Sequence, residues 1–474
     1  MYTLIIVPLV AALIAFVLPS DRFRPHIVAV TAAIHLVCTF RLRVGDVSEW
    51  GWLAVDPLGY LTLGVLSIVF ALCSVYAIGY LRVRADRPNR IFTVCLLAFL
   101  AMTTGVTLAQ HLALLWVAME GATLSTAMLI YFNRNARSLE AAWKYLMIGS
   151  VGIALALLGS LFIGYAAFLG AGGKASLLFQ DLLTNSEALS RPWIRAGFVL
   201  LLVGYGTKMG LAPLHTWKPD AYGEAPGLIG ALLAGGMTNC AFLALLRIFR
   251  ITVAAGEGAF ARELFIVIGL FSMAVAAVFM AGQRDFKRML AYSSVEHMGI
   301  LVLGIGVGGL ATFGTLLHVV NNAFTKIVLF LSAGNIHRAY GSKRIEVVSG
   351  ALRRLPISGA LFLTGFLAIT GSPPFGPFIS EFTILNGAIQ TGHFISAALF
   401  LIFLIVIFIG MGATVLAVVQ GVPSEKADTG FRDSFWKTAP MFVSLALVLM
   451  MGIWIPRQLY SFIEEAARTL QGAP

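Results

Sequence analysis

The chain has 474 residues, of which 59% are hydrophobic and only 12% charged, and its mean hydropathy is +0.89. A soluble domain carries about 25% charged residues, so this composition cannot cover a water-facing surface and excludes a soluble enzyme. The 33 Lys and Arg against 22 Asp and Glu leave +11; in so apolar a chain the excess bears on membrane sidedness and implies no nucleic acid.

A membrane span needs about 20 mostly apolar residues. In chain order the candidates are 2–19, 26–40, 53–81, 91–109, 111–131, 141–169, 196–222, 227–246, 263–281, 289–308, 311–336, 355–389, 394–420 and 438–456. The expected fold is therefore an all-α polytopic membrane protein of about 14 transmembrane helices, with short loops and no room for a soluble domain. His35, Arg41 and Arg43 make the second segment the weakest. The first has no basic leader, and Pro19-Ser20-Asp21-Arg22 is no small-residue cleavage site, so it reads as a retained helix. The stretch 457–471, with Tyr460, Phe462, Ile463 and Leu470 among Arg457, Glu464 and Glu465, reads as a short interfacial helix.

Cys38, Cys73, Cys95 and Cys240 all lie in apolar segments and form no CxxC pair, which reads as core packing and neither disulfide, zinc nor iron–sulfur ligation. No cofactor or metal is expected in this chain. With alternating loops, Arg22 and Arg24, the group Arg82, Arg84, Arg87 and Arg90, then Arg134, Arg137 and Lys144, Lys218, Arg284, Lys287 and Arg288, the group from Arg338 to Arg354, and Lys426, Arg432 and Lys437 all fall on one side. The other side holds far fewer, among them Arg41, Arg43 and Lys174. The positive-inside rule makes the richer side cytoplasmic and puts both termini outside.

The charges left inside the spans are the candidate functional residues, because a charge at mid-membrane costs at least about 2.5–3.5 kcal/mol. Glu120 lies mid-helix in LLWVAMEGATLSTAML. Lys208 precedes a run broken by Pro213, Pro219 and Pro226; interrupted helices are tolerated at membrane depth where they line a cavity, and they mark transport sites in carriers. Lys326 follows His318 and Asn322 at four-residue steps, so the three share one helix face. Glu381 follows a second broken run containing Pro373, Pro374 and Pro377. Glu296 and His297 are adjacent and point in different directions. His215, Asp220 and Glu224 belong to the first broken loop, and Lys144, Asn239 and Asn322 are further relay or gating candidates. Structural readings stand beside these: an ion pair for Glu120, an anchor of the broken turn for Lys208, a polar seam for the His318 stripe, interface or cap residues for Glu296 and His297. His35 and His111, read as near span ends, receive no role.

Glu120 to Lys208 and Glu296 to Glu381 are nearly equal spacings, and each second residue neighbours a Pro-broken helix. Segments four to eight and nine to thirteen then read as two five-helix units, and an odd number of helices inverts the copies. The division expected is 1–90 for three N-terminal helices, 91–251 for the first repeat, 260–420 for the inverted second, and 421–474 for the last helix and the interfacial one.

The motifs WVAMEGATL, GTKMGLAPLHTWKPDAYGEAPG, RDFKRMLAYSSVEHMG, NNAFTKIVLFLSAGNI and PPFGPFISEF, spanning roughly 91–420, resemble those of the antiporter-like membrane subunits of respiratory complex I, Mrp antiporters and energy-converting hydrogenases. SLEAAWKYL, GLAPLHTWKPDA and YSSVEHMG look most like hydrogenase-4 component F of group 4 [NiFe] hydrogenases. The resemblance implies a fourteen-helix fold with inverted repeats, a Glu–Lys pair at Glu120 and Lys208, a central lysine at Lys326 and a terminal carboxylate at Glu381. It implies a proton-translocating, non-redox subunit of a bacterial or archaeal cytoplasmic-membrane complex. The partners would be other membrane subunits and a soluble arm that holds the NiFe and iron–sulfur centres. Protons would pass from Lys208 through Lys326 to Glu381. The sequence departs from the family at Asn239, where several relatives carry Lys or His, and at Asn322, where relatives often carry His. An Mrp-type cation/proton antiporter subunit and a non-pumping scaffold for a redox arm are the alternatives.

Overall fold

The computed structural model describes residues 1–170, 176–423 and 429–471; Lys174 and Lys426, assigned above to opposite sides, lie outside them. Among the described residues every extended regular element is helical, and β pairing is confined to isolated bridges such as Leu53 with Ala109 and Asp285 with Arg344. The chain opens with α1 (Tyr2–Val17), α2 (Arg24–Arg41), α3 (Pro57–Val83), α4 (Arg90–Leu108), α5 (Leu112–Ile130) and α6 (Ala136–Gly170). Short α7 (Phe179–Thr184) leads to α8 (Arg191–Met209), α9 (Trp217–Glu224), α10 (Gly227–Leu232), α11 (Thr238–Thr252) and α12 (Gly258–Met280). Then come α13 (Phe286–Val307), α14 (Leu310–Tyr340), α15 (Ala351–Arg354), α16 (Pro356–Ile369), α17 (Gly376–Gln390), α18 (Phe394–Val419), α19 (Phe435–Ile453) and α20 (Arg457–Gln471).

Among the described residues nine helices are long and apolar enough to cross a membrane, and α1 and α16 are shorter apolar ones. One of the nine, the continuous stretch Gly227–Met280, is divided at Gly256, whose φ of 81° parts α11 from α12. Prolines at the first turns of α2, α3, α8, α16 and α17 start those helices where the missing N–H is no loss.

The two proline-broken segments fold as the sequence indicates. α8 ends at Gly210, a left-handed residue (φ 80°) whose N–H donates to Gly206 O at 2.8 Å, the usual way a glycine satisfies a helix end. The chain passes a cis Ala212–Pro213 bond and re-enters as α9, tied back by Trp217 Nε1 donating to Thr207 O at 2.8 Å. α16 ends before Gly371 (φ 68°), and a cis Pro373–Pro374 bond leads to α17.

Glycine seams set the tightest helix pairs. α6 packs on α8, where a Cβ at Gly159 would meet Gly197 O at 2.9 Å and one at Gly152 would meet Gly204 O at 3.0 Å. α12 packs on α13 the same way, with Gly269 against Gly299 O at 2.8 Å. Small residues let membrane helices approach closely when water supplies no hydrophobic drive. α13 and α14 form the centre and are buried along their apolar windows. α18 turns Ile395, Ile405 and Ile409 outward, and α1 does so with Leu13 and Val17. α20 lays Ile463, Ala466 and Ala467 on the body, with Tyr460 against Phe313 and Phe462 against Tyr60.

Candidate functional site

Polar and charged side chains form two groups in the buried interior of the bundle. In the first, Lys208, at the C-terminal turn of α8, reaches α5 and α6. Its Nζ donates to Thr123 Oγ1 at 2.7 Å and lies 3.7 Å from Glu120 Oε2. The Tyr145 ring lies 5.7 Å away, and the Tyr145 hydroxyl meets Thr126 Oγ1 at 2.6 Å. Gly149 makes the space: a Cβ there would sit 2.6 Å from Nζ. Lys208 is 1% exposed and Glu120 is 22% exposed, so the lysine faces the interior and the acid lies at its edge.

The second group is seated on α13. Lys326 of α14 donates to Ser293 Oγ at 2.7 Å. One turn on, Glu296 Oε2 lies 3.8 Å from His297 Nε2, so the adjacent pair approaches more closely than its diverging positions implied, although that nitrogen makes no hydrogen bond. His297 Nδ1 meets His318 Nε2 at 3.0 Å, and His318 Nδ1 meets Ser380 Oγ at 2.9 Å. Glu381 Oε1 stands 4.0 Å from His297 Nδ1. His297, His318 and Glu381 could together hold a cation, since one atom of each lies within 4.8 Å of the others; the hydrogen bond between the imidazoles and that of His318 to Ser380 account for the geometry without one. His318, Asn322 and Lys326 do share the face turned into the bundle, and all three are fully buried. Neither amide atom of Asn322 has a hydrogen-bond partner in the protein, and buried polar atoms of this kind are where internal water is held.

The other candidates lie elsewhere. Asp220 pairs with Lys144 at 2.9 Å and Arg288 at 3.1 Å, and Lys144 also with Glu140 at 2.6 Å. Glu224 pairs with Lys343 at 2.7 Å, which reaches Asp285 at 3.3 Å. Asp220, Glu224, Asp285, Arg288 and Lys343 line a charged cleft of about 450 Å³ at the surface, with the exposed Lys144 and Glu140 joined to it through Asp220, so these residues stand apart from the two buried groups. His215 stands apart, beside the stacked rings of Phe279 and Tyr292. Asn239 donates its amide to Gly235 O at 2.9 Å, within the π turn Leu233–Met237.

Two sequence assignments are corrected. Lys218, counted above among the cytoplasmic loop charges, is fully buried and donates to Ser294 Oγ at 3.0 Å. Proline and charge around it read as loop, but α9 folds back into the bundle. His35 is no span-end residue: it is 2% exposed, with Nδ1 on Ser67 Oγ at 2.5 Å and Nε2 on Thr104 Oγ1 at 2.9 Å. The hydroxyls Thr123, Ser293, Ser294 and Ser380 were not singled out, because serine and threonine are unremarked in apolar helices.

A helical bundle that buries lysines, histidines and carboxylates beside interrupted helices is a multi-pass membrane protein of the ion-handling kind. The family described as "NADH:quinone oxidoreductase/Mrp antiporter, TM" matches residues 109–410, and the chain belongs to it. It is 37% identical to a hydrogenase-4 component F homolog of Methylacidiphilum infernorum, over 78% of each chain. It is 34% identical to the NADH-quinone oxidoreductase subunit N of Desulforudis audaxviator, over 74% of this chain and 70% of that one. Its fold matches a chain of the Mrp complex from Dietzia sp. with a TM-score of 0.87, at 19% identity over 99% of this chain and 96% of the other. The likeness to component F expected from the motifs is thereby borne out.

Proposed function

We propose that the chain is a proton-translocating subunit of an energy-converting membrane complex, passing protons along the Lys208–Lys326–Glu381 line and driven by redox chemistry in partner subunits. The observation that carries this reading is the Glu120–Lys208 contact at 3.7 Å, beside a lysine whose other partners, the Thr123 hydroxyl and the Tyr145 ring, carry no charge. At an effective dielectric of 20, such a pair is worth about 4 kcal/mol. A partner that draws Glu120 away removes that attraction and frees the Lys208 proton to move. Moving one charge against 100 mV takes about 2.3 kcal/mol, so one such switch suffices.

The proposed architecture is fourteen spans, with 1–90 and 421–474 flanking two inverted five-helix repeats at 91–251 and 260–420. One feature supports the repeat: each half holds one helix broken at a left-handed glycine and a cis proline. The proposed placement is a bacterial or archaeal cytoplasmic membrane, with both termini outside and the NiFe and iron–sulfur centres in partners.

Lys208→Met and Glu120→Gln in the assembled, reconstituted complex are expected to abolish proton transport per redox turnover while turnover itself continues. Wild-type transport in both variants would sink the proposal. A non-pumping scaffold is the second reading, and it is favoured by one observation: Asn239, on the helix that follows the first broken one, uses its amide on its own π turn and cannot titrate. The same measurement separates the two, since a scaffold carries no proton in the wild type.

A further inference from the structure

Lys218 is a fully buried lysine that the reading above leaves unused. Its Nζ donates to Ser294 Oγ at 3.0 Å and to Ser294 O at 3.3 Å, and it lies 5.8 Å from the Tyr222 ring. The stem runs against Gly210, where a Cβ would collide with Cδ, Cε and Nζ. Gly210 is two residues beyond Lys208. Lys218 therefore leaves from behind the end of the Lys208 helix and sets its tip on α13. On the preceding residue of α13, Ser293 Oγ accepts from Lys326. Two lysines, one from each half of the chain, thus rest on consecutive serines of a single central helix.

The company Lys218 keeps differs from that of the other inward lysines. Lys343 is bound to the Glu224 carboxylate. Lys287 donates to Gly223 O and Ala225 O, at the C-terminal end of α9, where a fixed cation complements the helix dipole. Lys218 instead meets the middle of α13, and among the described residues no carboxylate lies within ion-pair range of it. An amine donates to a neutral hydroxyl and a carbonyl as an ammonium does, so the seat survives loss of the proton. Serine hydroxyls both donate and accept, so Ser294 and Ser293 can hand a proton along.

We propose that Lys218 carries the proton between Lys208 and Lys326, the task for which Asn239 has no titrating group. This inference rests on the proton-translocation reading. The Lys208 ammonium loses a proton and becomes an amine; the Lys218 amine gains it and becomes an ammonium. Lys218 then releases it toward Lys326, which was left neutral when its own proton moved on to Glu381. Only N–H and O–H bonds form and break, and each cycle moves one proton.

The test uses the intact complex with its partner subunits in proteoliposomes, measuring proton uptake per redox turnover beside the amount of complex assembled. Lys218→Met and Lys218→Arg should each lower transport per turnover by about a hundredfold, the low end for loss of a proton-transfer group, while turnover stays close to wild type. Arginine keeps the charge and the hydrogen bonds but does not deprotonate. Lys218→His, which titrates, should restore a substantial part of the transport. Wild-type transport by Lys218→Arg would mean that a fixed cation suffices and would overturn the inference, as would wild-type transport by Lys218→Met. If Lys218→Met fails to assemble, the contrast between Arg and His decides. Lys208→Met is the control: if it too transports normally, the translocation reading falls, whereas loss in Lys208→Met with normal transport in the Lys218 variants overturns the Lys218 inference alone.

Discussion

Lys208 shows how little surrounds a buried ammonium here: one threonine hydroxyl, one carboxylate at 3.7 Å, the Tyr145 ring and the space left by a missing Cβ. That space is a sharp point of attack. Gly149→Ala would put a methyl group 2.6 Å from the present Nζ position, and a flexible lysine tip gives way more cheaply than backbone does. The expected result is normal assembly with reduced proton transport, because Lys208 can no longer hold Thr123 and face Glu120 together; unchanged transport would show that the seat is not needed. The charged residues of the line were legible in the sequence, since a charge in an apolar run announces itself. Their hydroxyl seats were not, because Thr123 and Ser293 cost little in an apolar helix and carry no pattern. Lys218 was missed for a different reason. Its surroundings, HTWKPDAYGE, read as a loop, and only the fold-back of α9 buries it.

At the scale of elements, the proline runs and glycines told most. Both broken helices were predicted from Pro213 and from Pro373-Pro374, and each break lies where a glycine takes φ > 0. The glycine seams were invisible beforehand, because a glycine in a membrane helix reads the same whether it faces lipid or a neighbour. They carry a prediction about stability. Gly269→Ala would press a Cβ to 2.8 Å from Gly299 O and 2.9 Å from Leu303 N, against backbone that cannot rotate away, and overpacking of this kind costs about 1–3 kcal/mol. The purified complex should melt earlier than wild type, while Gly64→Ala, which meets nothing within 4 Å, should leave the midpoint unchanged. An equal midpoint for both would mean that the α12–α13 crossing relaxes without loss. The π turn Leu233–Met237 was also beyond sequence reading. No residue type demands it, yet Asn239 depends on it for its only described hydrogen bond.

For the whole molecule, composition identified the class, and the basic loops give an orientation that can be measured. A cysteine at Trp50, in the exposed turn between α2 and α3, should react with an impermeant thiol reagent in intact cells. A cysteine at Ala85, in the exposed turn between α3 and α4, should react only after the cells are opened. The reverse pattern would invert the proposed topology. The native cysteines complicate this little, as Cys73 and Cys240 are buried and Cys38 and Cys95 only partly exposed.

Glu120 bears on how such a protein can exist in a cell. The outward face of α5 presents Val117, Leu124 and Met128, each about half exposed, and Glu120 shows at its edge between them. Hydrocarbon is a poor neighbour for a carboxylate: one at mid-membrane costs at least about 2.5 kcal/mol. Alone, the chain would meet its lipid with that flaw in an otherwise apolar wall. Beside a subunit that covers α5, the flaw becomes a contact. The residue proposed to switch Lys208 is thus also a mark of incompleteness, one that would distinguish an orphaned chain from an assembled one before any proton has moved.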